Sequence, residues 1–219
     1  VEEGFAAGRP EPEPESVQIE IDDRGGVQGE QLAHQEPPHD GDAERLAQFG
    51  AVAGAHGQIA RRLVRLLAER GDVVRGLIRN PAHAVDVRAD GGQPAVCDLE
   101  RSTVEEVALT IEGADAVVFA AGAGPGSGAE RKATMDRDGA LLLLGAAIAA
   151  RVPEYVMISA MGTEEPPAGD DVFSVYLRAK ADADRALMES DRRWTIVRPG
   201  GLTDEPGTGR VALARHLDV

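Results

Sequence analysis

The stretch Ala51-Val-Ala-Gly54-Ala-His56-Gly57-Gln-Ile-Ala60, continuing as Arg61-Arg-Leu-Val-Arg-Leu-Leu-Ala-Glu-Arg70, decides the fold. A short apolar run ends in a glycine turn, and the turn opens directly into an amphipathic helix. Leu63, Leu66 and Leu67 mark the expected buried stripe, with Arg61, Arg62, Arg65, Glu69 and Arg70 on the outer face. Strand, turn and helix in this order suit a dinucleotide. Gly54 lets the chain reverse tightly, Gly57 lets a pyrophosphate approach the backbone, and Ala60 keeps the helix close to the sheet. The free N–H groups at the helix start then face the phosphates. Gly-x-x-Gly-x-x-Ala also occurs as a bare tight turn, so the rest of the chain has to decide.

Outward from this stretch, strands and helices alternate. Phe49–Ala53 reads as the first strand and Val73–Ile78 as the second, the latter ended by Arg79-Asn-Pro81. Residues 94–97 are the third, ended by Asp98-Leu99. Residues 102–109 form a short helix with Glu105 placed for a capping box. Residues 115–120 are the fourth strand, ended by Ala121-Gly122-Ala-Gly124. Residues 129–151 read as one long helix, 154–159 as the fifth strand, 173–190 as a helix and 194–198 as the sixth strand, stopped by Pro199-Gly200-Gly201. Most strands are continuous apolar runs, the pattern of a parallel sheet covered on both faces. The expected architecture is α/β, a doubly wound, mostly parallel sheet with ligands at the C-terminal strand ends. The first strand fits least, because Phe49-Gly-Ala-Val-Ala53 lacks a β-branched run.

The 219 residues suffice for one domain with a full core. The formal net charge of −15 argues against nucleic acid or an anionic membrane as partner. Much of that charge lies in residues 1–48, which hold 13 acidic and 3 basic residues. Runs such as Pro10-Glu-Pro-Glu-Pro-Glu15 predict a disordered acidic tail there. Within it, Val17-Gln-Ile-Glu-Ile21 alternates as an edge strand would. The domain is therefore expected over residues 49–219. Cys97, the single cysteine, excludes an internal disulfide and fits a reducing cytoplasm. No apolar run is long enough to span a membrane, and the N-terminus lacks a signal-peptide pattern. His34 and His39 near Asp40 and Asp42 could suggest a metal site but read by default as a solvated tail, and the acidic run 164–171 reads as an exposed loop, so no metal is expected.

Tyr176-Leu-Arg-Ala-Lys180 is the sharpest chemical feature. Tyr and Lys at i, i+4 share one helix face. A phenol has a free pKa of about 10, and a nearby ammonium lowers it toward useful acid–base chemistry. Ser159, at the end of the preceding strand, could bind the same substrate oxygen. The plainer reading is a surface tyrosine beside a surface lysine. Against it, Lys180 is one of only two lysines in a chain that otherwise uses arginine.

Taken in order, these pieces resemble the atypical short-chain dehydrogenases/reductases, the NAD(P)H-binding, NAD-dependent epimerase/dehydratase-like proteins. The resemblance spans about residues 49 to 210. It rests on Gly54-Ala-His-Gly57-Gln-Ile-Ala60, Gly76-Leu-Ile-Arg79-Asn-Pro81, Cys97-Asp98-Leu99 and Ala114-Asp-Ala-Val-Val-Phe-Ala-Ala-Gly122. It continues in Tyr155-Val-Met-Ile-Ser159-Ala-Met-Gly162, Tyr176-x-x-x-Lys180 and Val197-Arg-Pro-Gly-Gly201. It implies that Gly54, Ala55, His56, Gly57, Gln58 and Ile59 form the pyrophosphate loop. Asp98 and Leu99 would border the adenine, Ala120, Ala121 and Gly122 would pass along the ribose, and Pro199, Gly200 and Gly201 would lie beside the nicotinamide. Arg79 stands where relatives read the adenosine ribose. No acid ends the second strand, so Arg79 favours NADP over NAD. Each residue also has a plain alternative: Asp98 as a turn residue, Arg79 as a solvated strand end, the alanines as close packing.

The resemblance further implies an NADP-dependent oxidoreductase. Hydride would pass between NADPH and a small carbonyl, flavin or quinone-like acceptor. Tyr176 would be the proton donor, Lys180 its modifier and a ribose contact, and Ser159 the orienting hydroxyl. Two alternatives stand beside it: a non-catalytic NAD(P)H-sensing binding protein, and a partial chain with little activity. Relatives continue past the Gly207-Thr-Gly-Arg210 region with further helix and strand, so a domain truncated at its C-terminus is one expectation. Ala140 to Ala150 is apolar enough for the interior of a monomer or the interface of a homodimer.

Overall fold

The computed structural model describes residues 17–21, 27–28, 48–124, 126–205, 207 and 210–213. In chain order the elements are β1 (Val17–Ile21), β2 (Val27–Gln28), β3 (Phe49–Ala53), α1 (Gln58–Glu69), β4 (Val73–Ile78), α2 (Ala84–Ala89) and β5 (Gln93–Val96). There follow α3 (Val104–Ile111), β6 (Ala116–Phe119), α4 (Ala129–Arg131), a π-helical segment (Lys132–Gly139), α5 (Ala140–Ala149), β7 (Glu154–Ile158), α6 (Val172–Met188), β8 (Arg193–Val197) and β9 (Arg210–Leu213).

The chain divides into two units. Asp42–Leu202 carries a six-stranded sheet of order β5-β4-β3-β6-β7-β8. All of its neighbouring strands run parallel. This is the expected doubly wound architecture. The second unit, Val1–Gly41 with Thr203–Val219, carries a three-stranded antiparallel sheet of order β2-β1-β9. The alternation at Val17–Ile21 thus forms a strand, paired through Val17↔Leu213 and Ile19↔Val211. Val27–Gln28 also lies in this sheet, and apart from these strands and Gln48 the expected acidic tail falls outside the described residues.

Side-chain alternation on β3 sorts the core. Val52 faces α1, clustering with Ala60, Val64, Val74 and Val118. Ala51 and Ala53 face the opposite layer, where Phe119, Leu143, Tyr155, Met157 and Leu187 pack. The strand with the weakest sequence signal is therefore central and buried from Ala51 to Ala53, with Ala51 and Val52 at 0% exposure. Its small residues suit a strand hydrogen-bonded on both edges and helix-covered on both faces, where tight spacing outweighs β propensity. Asp115 Oδ2 accepts from Phe49 N at 2.8 Å and tethers its start.

Several boundaries differ from expectation, each for a local reason. The buried stripe of α1 is Ala60 and Val64, flanked by Leu63 and Leu67, whereas Leu66 is 58% exposed. The seam follows the i, i+4 row through the smallest residues, which lets the helix sit close to the sheet. The capping box of α3 is Thr103 with Glu106, one position later than expected. The helix over residues 84–89 has no start signal in the sequence, because Pro81 reads as a strand stop. Here it starts a helical turn whose N–H at Ala82 is capped by Asn80. The long helix over residues 129–151 contains eight π-helical residues, Lys132–Gly139, before resuming as α5. Such wide turns recur at functional sites.

Candidate cofactor and active site

β3 and β6 are adjacent parallel strands, yet α1 and α5 leave them toward opposite faces of the sheet. Their C-terminal ends therefore frame the crevice of a topological switch point. Gly54 turns there with φ +76°. A Cβ on it would lie 2.6 Å from Ala121 Cα and 2.9 Å from Ala120 O. Only glycine fits, on both conformational and steric grounds. Gly57 N donates to Gly54 O at 2.8 Å and closes the loop. Gly57 is also the N-cap of α1 and brings no capping side chain, so the first N–H groups of a twelve-residue helix are left for another acceptor. His56, Gly57, Gln58 and Ile59 are exposed at this rim, while Ala55 is buried. The cradle fits a dinucleotide pyrophosphate: close backbone, no side chain to block it, and helix N–H groups at its edge.

The remaining loop residues have structural anchors. Gly76 lies so close to Ala55 that a Cβ would come within 2.7 Å of the Ala55 Cβ. His56 stacks on His83, ring centroids 3.5 Å apart, and its Nε2 is 3.1 Å from Asp86 Oδ2. Arg61 and Arg65 of α1 both bind Asp90, at 2.6 and 2.7 Å. These contacts hold α1 to α2 just behind the loop.

At the adenosine end, Arg79 does not stand free. Its Nη1 donates to Glu100 Oε2 at 3.0 Å. Glu100 also accepts from Arg131 at 3.0 Å and from Thr134 at 2.9 Å. Burial alone would raise the Glu100 carboxyl; the Arg131 and Thr134 hydrogen bonds, with the charges of Arg131 and Arg79, outweigh it and hold it below the usual range. Asp98 serves as a turn residue, its Oδ1 accepting from Glu100 N at 3.1 Å. Leu99 is buried in the core. Ala120 and Ala121 are half-buried and Gly122 is exposed beside Asp136, whose Oδ1 would be 3.1 Å from a Cβ there.

The expected catalytic residues lie just past the end of β7 and on α6, each with a partner the sequence did not announce. Lys180 is 3% exposed. Its Nζ donates to Ile158 O at 3.1 Å and lies 3.5 Å from Asp136 Oδ1. Burial pulls the ammonium below its ordinary value, and the Asp136 carboxylate offsets only part of that. Ser159 is buried and donates to Asp184 Oδ2 at 2.9 Å. The same oxygen accepts from Thr163 and Arg198, both at 3.0 Å. Tyr176 is half-buried, with Lys132 Nζ 5.1 Å from its ring centre. Its phenol is pushed up, by burial first and then by the Asp136 and Asp184 carboxylates. The expected lowering by Lys180 is thus reversed, since burial, and after it the two carboxylates, favour the neutral phenol. Pro199 O accepts from Met161 N at 3.1 Å, joining the ends of β7 and β8, and Gly200 and Gly201 are exposed just beyond. Glu100, Asp136 and Asp184 carry no motif of their own; only their convergence on Arg79, Lys180 and Ser159 identifies them. A separate cavity of about 270 Å³ between the π-helical segment and α6, lined by Arg137, Arg178 and Asp182, contains none of the expected site residues.

Sheet order, glycine cradle and strand-end residues define a nicotinamide-dinucleotide-binding protein of the doubly wound class. The chain belongs to the NAD(P)H-binding family, whose model matches residues 54–219. Its type within that fold is the atypical short-chain dehydrogenase/reductase. It is 36% identical over 168 residues to a Bacillus subtilis protein named as an uncharacterised sugar epimerase, YhfK, covering 76% of this chain and 78% of that one. A solved structure from Bacillus halodurans, described as an NAD-dependent epimerase/dehydratase, superposes with TM-score 0.69 at 34% identity over 74% of each chain. The oxidoreductase ylbE of Lactococcus lactis gives TM-score 0.64 at 26% identity, over 73% of this chain and 72% of that one. Among the described residues, no helix is long and apolar enough to cross a membrane.

Proposed function

We propose that this protein is an NADPH-dependent oxidoreductase of the cytoplasm acting on a small carbonyl, flavin or quinone-like acceptor. The observation that carries the reading is the Gly54–Gly57 cradle at the switch point, with Lys180 and Tyr176 on the α6 face nearby in the fold. When bound, the nicotinamide supplies or takes the hydride. The chain's own part is to bind, orient and move one proton. The α1 N-terminus and the glycine turn hold the pyrophosphate, Arg79 meets the 2′-phosphate, and Pro199, Gly200 and Gly201 border the nicotinamide side. Tyr176, neutral at physiological pH, donates the proton from its phenol oxygen. Lys180, fixed by Asp136 and Ile158 O, sets the local field and reaches toward the ribose. Ser159 orients the acceptor oxygen once its hydroxyl turns from Asp184.

A second reading, binding without turnover, is favoured by one specific feature: Ser159 and Lys180 already spend their polar atoms on Asp184, Asp136 and Ile158 O. Fluorescence titration with NADPH and NADH, on the wild type, Arg79→Ala and Tyr176→Phe, tests the proposal. Arg79→Ala should weaken NADPH selectively. Tyr176→Phe should bind NADPH normally but lose at least a hundredfold in kcat on a screened acceptor. An unchanged NADPH affinity in Arg79→Ala defeats the cofactor choice. Full turnover in Tyr176→Phe defeats the catalytic role, and tight NADPH binding with no acceptor turned over supports the binding-only reading.

A further inference from the structure

We propose that Glu100 is the determinant of cofactor choice in this site: a carboxylate latch that occupies Arg79, accepts from a ribose 2′-hydroxyl, and must be displaced by a 2′-phosphate. The inference deepens the NADP(H) reading above and rests on it. It starts from an omission in the sequence. A doubly wound site for NAD carries an acid at the end of the second strand of its sheet, and here that position is Arg79. The fold supplies the missing acid from the next strand. Glu100 follows β5, the parallel neighbour of β4, and its Oε2 sits 3.0 Å from the Arg79 guanidinium.

The carboxylate is built in rather than draped over the surface. Arg131 Nη2 and Thr134 Oγ1 donate to its Oε2 and Oε1, at 3.0 and 2.9 Å, and its side chain is 19% exposed. Arg79, by contrast, is 52% exposed and ends in the latch. The three charged groups sum to a single positive charge where a bare arginine pair would give two. A 2′-phosphate arriving at Arg79 therefore meets a fixed anion already in its place. The competition costs affinity for NADPH through like-charge repulsion. A 2′-hydroxyl meets no such penalty and finds an acceptor, so the latch narrows the gap between NADPH and NADH. Arg131 and Thr134 act through Glu100 as its positioning residues.

The test is the ratio of NADH to NADPH dissociation constants, measured by nicotinamide fluorescence on the full chain. Glu100→Gln keeps the shape and the Thr134 contact but removes the charge. It should raise that ratio about tenfold toward NADPH, the effect of deleting one like charge at close range in a partly screened site. Glu100→Ala should move it the same way, which guards against a misfolded single variant; circular dichroism checks both. Arg79→Ala in the Glu100→Gln background should abolish the gain. If the wild type binds NADPH and Glu100→Gln leaves the ratio unchanged, or lowers it, the latch is wrong while the NADP(H) reading stands. If the wild type binds neither dinucleotide, both fall.

Discussion

The ammonium of Lys180 lies 3.5 Å from Asp136 Oδ1, and both side chains are almost wholly buried. The lysine comes from α6 and the aspartate from the π-helical segment, so the pair ties together the two elements that flank the expected active site. Asp136 Oδ2 also accepts from Ala123 N, at 3.2 Å, which fixes the loop beyond β6. Removing one partner of a buried pair leaves an uncompensated charge. Asp136→Asn should cost about 3–5 kcal/mol in urea unfolding. Replacing both, as Asp136→Leu with Lys180→Met, should recover most of that loss. Recovery by the double variant with no dinucleotide binding would mark the pair as site machinery rather than fold support.

Gly54 and Gly57 should respond differently to alanine. At Gly54 the φ of +76° and the 2.6 Å approach to Ala121 Cα leave no room for a Cβ. Gly54→Ala should destabilise by about 1–3 kcal/mol and abolish NADPH binding. Gly57 has φ −67°, which any residue adopts, and its Cβ would meet Gly54 O at 3.2 Å and Ala120 O at an ordinary 3.9 Å. Gly57→Ala should leave the melting temperature within a few degrees of wild type while weakening NADPH by about tenfold or more, as the methyl intrudes on the phosphate path. Thermal melts paired with fluorescence titration separate the two outcomes.

Asp90 gives the acid limb of stability a specific source. Hydrogen bonds from Arg61, then Arg65, hold its carboxyl below the usual range against the opposing effect of burial. A folded-state value below the unfolded one, about 3.9, means that the unfolded chain binds more protons in that interval. The contribution is therefore complete above about pH 4 and is lost as pH falls through the lowered folded value. Asp90→Asn should be less stable than wild type at pH 7, and the gap should close below pH 4 in parallel denaturant titrations. A gap that stays constant down to pH 2 would deny the linkage.

The α3 cap offers a clean local test. Thr103 Oγ1 accepts from Glu106 N at 3.3 Å, and Glu106 Oε2 accepts from Thr103 N at 2.9 Å. Thr103→Ala should cost about 1 kcal/mol. Ser102→Ala, one residue upstream, leaves the box intact and should cost less. Reversal of that order in urea midpoints would put the helix start back at Ser102.

Much of the fold was legible because its signals are local. Apolar runs bounded by breakers locate the six parallel strands to within a residue or so, and the glycine turn needs only its own neighbours to be read. Local signals mislead where two of them compete. Ser102 and Thr103 both suit an N-cap, and the backbone chose the one that places Glu106 at the third helical position. Pro81 reads as a stop and serves as a helix start. Nothing in the smooth helical pattern of residues 129–151 announces a π-helical segment, since an i→i+5 bond leaves no compositional trace.

The sequence by itself determined the doubly wound order, the cradle at Gly54 and Gly57, and the list of side chains available at the strand ends. Tertiary structure alone decided what those side chains touch. Arg79 was readable as a cation at a strand end, but Glu100, which holds it, lies 21 residues away. Ser159 was readable as a hydroxyl at the end of β7, but its partner Asp184 is 25 residues on. Tyr176 and Lys180 share a helix face by spacing, yet burial in the folded chain, and after it the carboxylates of Asp136 and Asp184, set the phenol's direction. The physical reason is common to all three. Secondary structure follows from near neighbours along the chain, whereas charge pairing and burial depend on which distant segments the assembled sheet brings within hydrogen-bond reach.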